Sequence, residues 1–168
     1  MIVYGVVHLK PLPGSSGNYL SLDEIIESAQ EDVNNLIFGG IDGIIIENFG
    51  DTPFVKDDIS KRTLASFTTV VENLEYDRDI KVGINVLRND GIAALSIAEA
   101  TKADFVRINV LNNVMMYTDQ GMIEGKAHEI AQFKNSLNKE IEIYADVFVK
   151  HAVPPEGSKI ENHTEELI

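Results

Sequence analysis

Short runs of aliphatic and β-branched residues alternate with helical stretches along the chain. Ile2 to Leu9 is an apolar run closed by Lys10-Pro11-Leu12-Pro13-Gly14, and it reads as a first strand. Ser21 opens a helix, with Glu24 three residues on as the second half of a capping box. Leu22, Ile25, Ala29, Val33, Leu36 and Ile37 then form one apolar stripe at helical spacing, and Gly39-Gly40 ends it. Gly43 to Glu47 predicts strand two, followed by the loop Asn48 to Pro53. Leu64, Phe67, Val71 and Leu74 mark a second helix. Strand three is Lys81 to Leu87, helix three Ile92 to Ala100, and strand four Asp104 to Val110. A long loop holds Asn112 to Gly121, with Met115-Met116 read as packing. A fourth helix is expected from about Met122 to Leu137, and strand five from Glu140 to Val149. Beyond Pro154-Pro155-Glu156-Gly157, Thr164 is a candidate start for a fifth helix, and no sixth strand follows.

Near-continuously apolar strands joined by helices mean a parallel sheet covered by helices. An open doubly wound sheet and a TIM-type (β/α)8 barrel both fit that description. G-x-G-x-x-G and G-x-x-x-x-G-K-[ST] are absent, which removes support for a dinucleotide or P-loop site. The pattern favours the barrel. With 168 residues, the chain is short for a fold that typically needs about 250. The expectation is one domain, 1–168, holding the first five βα units of a barrel truncated after them.

Composition narrows the classes further. There is no cysteine, so disulfides and thiolate metal sites are excluded and a cytoplasmic setting is the default. The net charge of −13 repels phosphate backbones, so nucleic acid is not an expected partner. No apolar run approaches the ~20 residues of a transmembrane helix. The first ten residues lack the basic start and small-residue cleavage site of a signal peptide.

In parallel α/β folds chemistry sits at the C-terminal ends of the strands. Polar residues gather there: His8 on strand one, Glu47 and Asn48 on strand two, and Asn85 with Arg88, Asn89 and Asp90 on strand three. Arg107 and Asn109 follow on strand four, and Asp146, Lys150 and His151 on strand five. The period of two puts Arg107 with Asn109, and Gly83 with Asn85, on a face opposite the aliphatic residues. The aliphatic face would meet the helices, and the polar face would point into the barrel mouth. A structural reading stands beside this one. Arg107 with Asp146 or Glu47 also suits a buried ion pair, Asn85 and Asn109 suit loop backbone groups, and His8 suits a satisfied core position. Glu47, Asp146, His8 and His151 lack a metal motif such as H-E-x-x-H, so no metal is assigned, and no cofactor is named by the sequence.

Several long segments resemble a known family. They are Gly5 to Gly14, Gly43 to Phe54, Gly83 to Asp90, Thr118-Asp119-Gln120-Gly121 with Ile123-Glu124-Gly125 and Ala127-His128-Glu129, and Ala145 to Ala152. Their order and content are similar to the BtpA family, named for a photosystem I biogenesis protein, over about Val3 to Pro154. The resemblance implies a (β/α)8 barrel related to ribulose-phosphate-binding barrels, and a retained small-molecule site on the strand ends.

From this we expect an enzyme-type barrel acting on a small phosphorylated or sugar-like metabolite. Its catalytic candidates are Glu47, Asp146, His8 and His151. Its substrate-binding candidates are Asn48, Asp51, Asn85, Arg88, Asn89, Asp90, Arg107, Asn109, Asp119, Gln120 and Lys150. The reaction class stays open among lyase, isomerase and glycosidic-bond hydrolase. The alternatives are a non-catalytic assembly factor of the photosystem I biogenesis type and a truncated product without activity of its own. The expected partners are a small-molecule ligand and either a second copy of the chain or further C-terminal βα units.

Overall fold

A computed structural model describes residues 1–76, 79–101, 103–112 and 116–167. Five strands, β1 (Tyr4–His8), β2 (Gly43–Glu47), β3 (Lys81–Asn85), β4 (Phe105–Ile108) and β7 (Glu142–Ala145), form one sheet in that order. Every neighbouring pair in it is parallel. Between the strands lie α1 (Leu22–Phe38), α2 (Lys61–Asn73), α3 (Gly91–Thr101) and α4 (Ala127–Asn135), and α5 (Ile160–Glu165) follows β7. The strand order never reverses, and α1 touches α2, α2 touches α3 and α3 touches α4. The four helices therefore share one face of the sheet. A doubly wound fold would divide them between two faces. This is the arrangement of five consecutive βα units of an α/β barrel.

The alternation seen in the sequence sets the two faces. Val7, Ile44, Ile46, Val82, Ile84, Val106 and Ile108 point toward the helices and are buried. They pack with Ile25, Ala29 and Val33 of α1, with Phe67, Val70 and Val71 of α2, and with Leu95, Ile97 and Ala98 of α3. The opposite face carries Tyr4, Phe105 and Tyr144 low in the sheet. Phe105 stacks on Tyr144 at 4.4 Å and meets Tyr4 edge-on at 5.4 Å. A Cβ at Gly83 would collide with the Phe105 ring, so a glycine there lets the ring lie across its neighbouring strand. This face is open, and Val6 and Tyr144 are each 38% exposed.

The helix starts obey the local rules. The Ser21 side chain accepts from Glu24 N at 3.3 Å, and Ser21 N donates to Glu24 Oε2 at 2.8 Å, completing the capping box. Ser60 caps α2 through Thr63 N at 3.0 Å.

Three expectations change. The fourth helix begins at Ala127, not Met122. The preceding residues form a hairpin, β5 (Met116–Thr118) paired antiparallel with β6 (Gly121–Ile123). Gly121 there adopts φ +95°, and the Thr118 hydroxyl donates to Gly121 O at 2.9 Å, fixing a turn inside what read as loop and helix start. Residues 113–115 and the Met116 side chain lie outside the described ones, and with them the packing expected of Met115-Met116. Strands one, three, four and five are each shorter than the apolar runs, because residues at the end of each run, and at the start of one, four and five, lie outside the ladder. The fifth helix starts at Ile160, upstream of Thr164.

Candidate functional site

The five strand ends deliver the polar residues to one rim. His8, Glu47 and Asn85 fall in one register row across β1, β2 and β3. Arg107 leaves β4 toward the same side and binds two carboxylates. Its Nε and Nη2 donate to the two oxygens of Asp146 at 3.0 and 2.9 Å, a bidentate fork. Its Nη1 donates to Glu47 Oε1 at 2.9 Å. The other Glu47 oxygen lies 3.6 Å from His8 Nε2, and the His8 ring stacks on Phe49 at 4.3 Å.

Asparagines extend the network. Asn109 Nδ2 donates to Asp146 Oδ2 at 3.1 Å. Asn85 Nδ2 donates to Asn109 Oδ1 at 3.1 Å and to the Arg107 carbonyl at 2.8 Å. A backbone carbonyl only accepts, so this bond fixes which end of the Asn85 amide is nitrogen. Asn85 Oδ1 is then buried with no hydrogen-bond partner, a costly state for an acceptor unless something donates to it.

His8, Glu47, Asn85 and Arg107 line a cavity of about 240 Å³ with Arg88, Asn109, Lys150 and His151. That is slightly below the roughly 300–1,000 Å³ of drug-sized sites, which suits a smaller molecule. Val6, Phe49, Leu87 and Val149 supply its apolar wall. None of these four was a sequence candidate, since an aliphatic or aromatic residue at a strand exit looks like any core position.

Burial sets the electrostatics. Glu47 is only 5% exposed, and its burial pushes the carboxyl above the usual range, with Arg107 and His8 opposing. Hydrogen bonding by Asp146 raises the Arg107 guanidinium further above its already high value. Glu47 and Asp146, bridged by one cation, thus sit in unlike surroundings, buried against half-buried.

Four other candidates hold loops together. Asn48 Oδ1 accepts from Leu87 N at 2.7 Å, and its Nδ2 donates to Asp51 at 3.0 Å. Asp51 accepts from Leu12 N at 2.7 Å, so the pair ties three strand exits. Asn89 clamps Val110, accepting from its N and donating to its carbonyl, both at 2.9 Å. Asp90 caps α3 by accepting from Ala93 N at 2.9 Å and also accepts from Ile59 N at 2.9 Å. Burial raises the carboxyls of Asp51 and Asp90 as it does Glu47. Asp119 and Gln120 stand at the β5–β6 turn and reach Arg88.

Asn48 and Asp51 also face a second cavity of about 370 Å³, bounded by Ser15, Ser60 and Thr63. The described residues lining it leave no buried side-chain polar atom unpaired. Behind Asp146, Asn112 Nδ2 and His163 Nδ1 are buried without hydrogen bonds and line a space of about 10 Å³. That is room for one water. His163 lies far along the chain from the strand ends, and no sequence signal tied it to them. Among the described residues no group of three or more His, Asp or Glu side chains is placed to hold a metal ion.

Residues 1–168 match the profile of the BtpA family. The chain belongs to this family. An uncharacterized protein of Thermococcus kodakarensis is 52% identical over 89% of the chain and 56% of its own length. A photosystem I biogenesis protein, BtpA of Synechocystis, is 47% identical over 90% of the chain and 53% of its own length. An uncharacterized mitochondrial protein of Caenorhabditis elegans is 30% identical over 96% of the chain and 60% of its own length. This BtpA-family chain spans about half the length of the curated relatives it matches. No solved structure matches it. Among the described residues, no helix is long and apolar enough to cross a membrane.

Proposed function

We propose that this chain, as one domain of five βα units, forms the ligand-binding arc of a barrel enzyme acting on a small hydroxylated metabolite, phosphorylated or sugar-like. The observation that carries the reading is Asn85, whose carbonyl oxygen is buried and unpaired and whose side chain lines the same cavity as Glu47 and Arg107. A ligand hydroxyl donated to that oxygen would satisfy it. Glu47 is the general acid/base, because its raised carboxyl value moves it toward working pH. Arg107 fixes the positions of both carboxylates, leaving its own donors committed to them. His8 flanks Glu47 as a proton partner, and Lys150 and His151 meet the ligand at the rim. Asp146 is the second carboxylate, oriented by Arg107 and Asn109.

A second reading has one observation in its favour, the name of the Synechocystis relative. On it the barrel is an assembly factor whose surface binds another protein.

Thermal melts of the chain against polyols, sugars and sugar phosphates test the first reading. A ligand that binds the folded state raises the melting temperature by mass action. The expected result is a shift for a hydroxylated compound, lost in Asn85→Leu and kept in Glu47→Gln. Once a substrate is found, Glu47→Gln should lower turnover at least about 100-fold, the usual contribution of a general acid or base. No shift across the panel, with a stoichiometric protein partner recovered by pull-down, would establish the second reading instead.

A further inference from the structure

The cavity holds two arginines in unlike states. Arg107 spends three donors on two carboxylates at 2.9 to 3.0 Å. Arg88 lines the same cavity and is 7% exposed. Its guanidinium carbon lies 4.5 Å from the centre of the Phe54 ring, which covers one face and sets its plane. Its Nε donates to the neutral Gln120 side chain at 2.9 Å. Among the described residues its one carboxylate partner is Asp119, through a single 3.4 Å contact from Nη2, and the Asp119 side chain is 65% exposed.

We propose that Arg88 recognises an anionic group of the ligand, a phosphoryl or carboxylate, and that the Asp119 carboxylate competes with that group for it. The inference rests on the small-molecule reading of the cavity. Three points lead to it. Among the described residues, an anion approaching Arg107 meets the paired Glu47 and Asp146, whereas at Arg88 it meets the single paired carboxylate of Asp119. An exposed ion pair with one long contact is weak, and a guanidinium fork on two anionic oxygens is stronger. Asp119 can also leave cheaply. The hairpin turn is held by Thr118, which donates to Gly121 O at 2.9 Å and accepts from Gln120 N at 3.2 Å, so it does not depend on the Asp119 side chain.

The cavity then has polarity. Arg88 takes the charged group, with Lys150 also lining the cavity, and Asn85 and Glu47 take hydroxyls. The hairpin tip becomes a specificity element, since its carboxylate sets how much anionic charge a ligand must bring.

The test is an NMR titration of the full chain with inorganic phosphate and, separately, acetate, at ionic strength held constant with chloride. The reporters are the Arg88 Nε–Hε signal in the wild-type chain and Asp119→Asn, and the side-chain amide of its partner Gln120, which persists when Arg88 is replaced. A saturable shift is expected, tighter by about two- to fivefold in Asp119→Asn, the range set by loss of a weak exposed pair. Arg88→Gln should abolish saturation, and Arg88→Lys should keep weak binding without the fork. The stronger of the two anions identifies the group as phosphoryl or carboxyl. Anion binding unchanged in Arg88→Gln, or weakened in Asp119→Asn, overturns the proposal. If Arg88→Gln fails to melt cooperatively, the Asp119→Asn titration decides alone. A neutral polyol that shifts Asn85 while neither anion moves Arg88 refutes this inference and leaves the hydroxylated-ligand site standing. Absence of both effects refutes both.

Discussion

At the scale of the residue, carboxylates buried at raised values govern behaviour. Burial is the largest cause for Glu47, Asp51 and Asp90 alike. A carboxyl raised in the folded state makes its contribution to stability in full below its ordinary value. That contribution is lost as pH rises through the raised one. The fold should therefore strengthen as pH falls from neutrality through this window, and the high net negative charge of −13 acts in the same direction. Glu24 and Glu142, held below the usual range by Ser21 and Tyr144, work the other way only at still lower pH. Urea midpoints between about pH 4 and 8 would show it, and Glu47→Gln should flatten the profile. A midpoint that rises toward neutral pH would contradict the assignment. Arg107→Met should destabilise by several kcal/mol, toward the lower end of the roughly 3–5 kcal/mol seen when one partner of a buried pair is removed. The discount reflects its side chain, which keeps 32% exposure.

Element-scale effects separate local rules from context. The capping box at Ser21 is local, so Ser21→Ala should cost about 1 kcal/mol by chemical denaturation with no change at the cavity. The β5–β6 hairpin depends on Gly121 at φ +95°. Gly121→Ala places a side chain in a conformation L-residues avoid, at about 1–3 kcal/mol of local strain. Amide exchange should then quicken in 116–123, and the Arg88 signals should shift because Asp119 and Gln120 lose their place. Unchanged exchange in that segment would mean that the turn tolerates another geometry.

Across the whole molecule, the two faces of the sheet have different duties. One is sealed by α1 to α4, and the other carries the Tyr4, Phe105 and Tyr144 rings beneath the polar rim. Those rings pack on one another across neighbouring strands, and Phe105 lies two residues before Arg107 on β4. Gly83→Ala intrudes on Phe105 and should destabilise by about 1–3 kcal/mol, the usual cost of overpacking. It should also disturb ligand binding through Arg107. A variant of wild-type stability with a displaced Phe105 ring would show that the layer has slack.

How much was legible depends on whether the signal is local. The βα alternation, the α1 capping box and the inward polar face follow from periodicity and side-chain chemistry within a few residues, and the sequence alone determined them. It also determined family membership, through long motifs in order. The hairpin was hidden because its pattern is short and its pairing depends on a glycine conformation that identity does not announce. The division of polar residues was hidden too. Asn48, Asp51, Asn89 and Asp90 stand beside Glu47 and Asn85 in the chain, yet they turn to backbone groups of other loops. The sequence offered Arg107 with Asp146 or Glu47, and only the tertiary structure decided that it joins both and that Arg88 meets the hairpin tip. Ion pairs of long sequence separation depend on where strands lie in the sheet, and a run of residues holds no record of that distance.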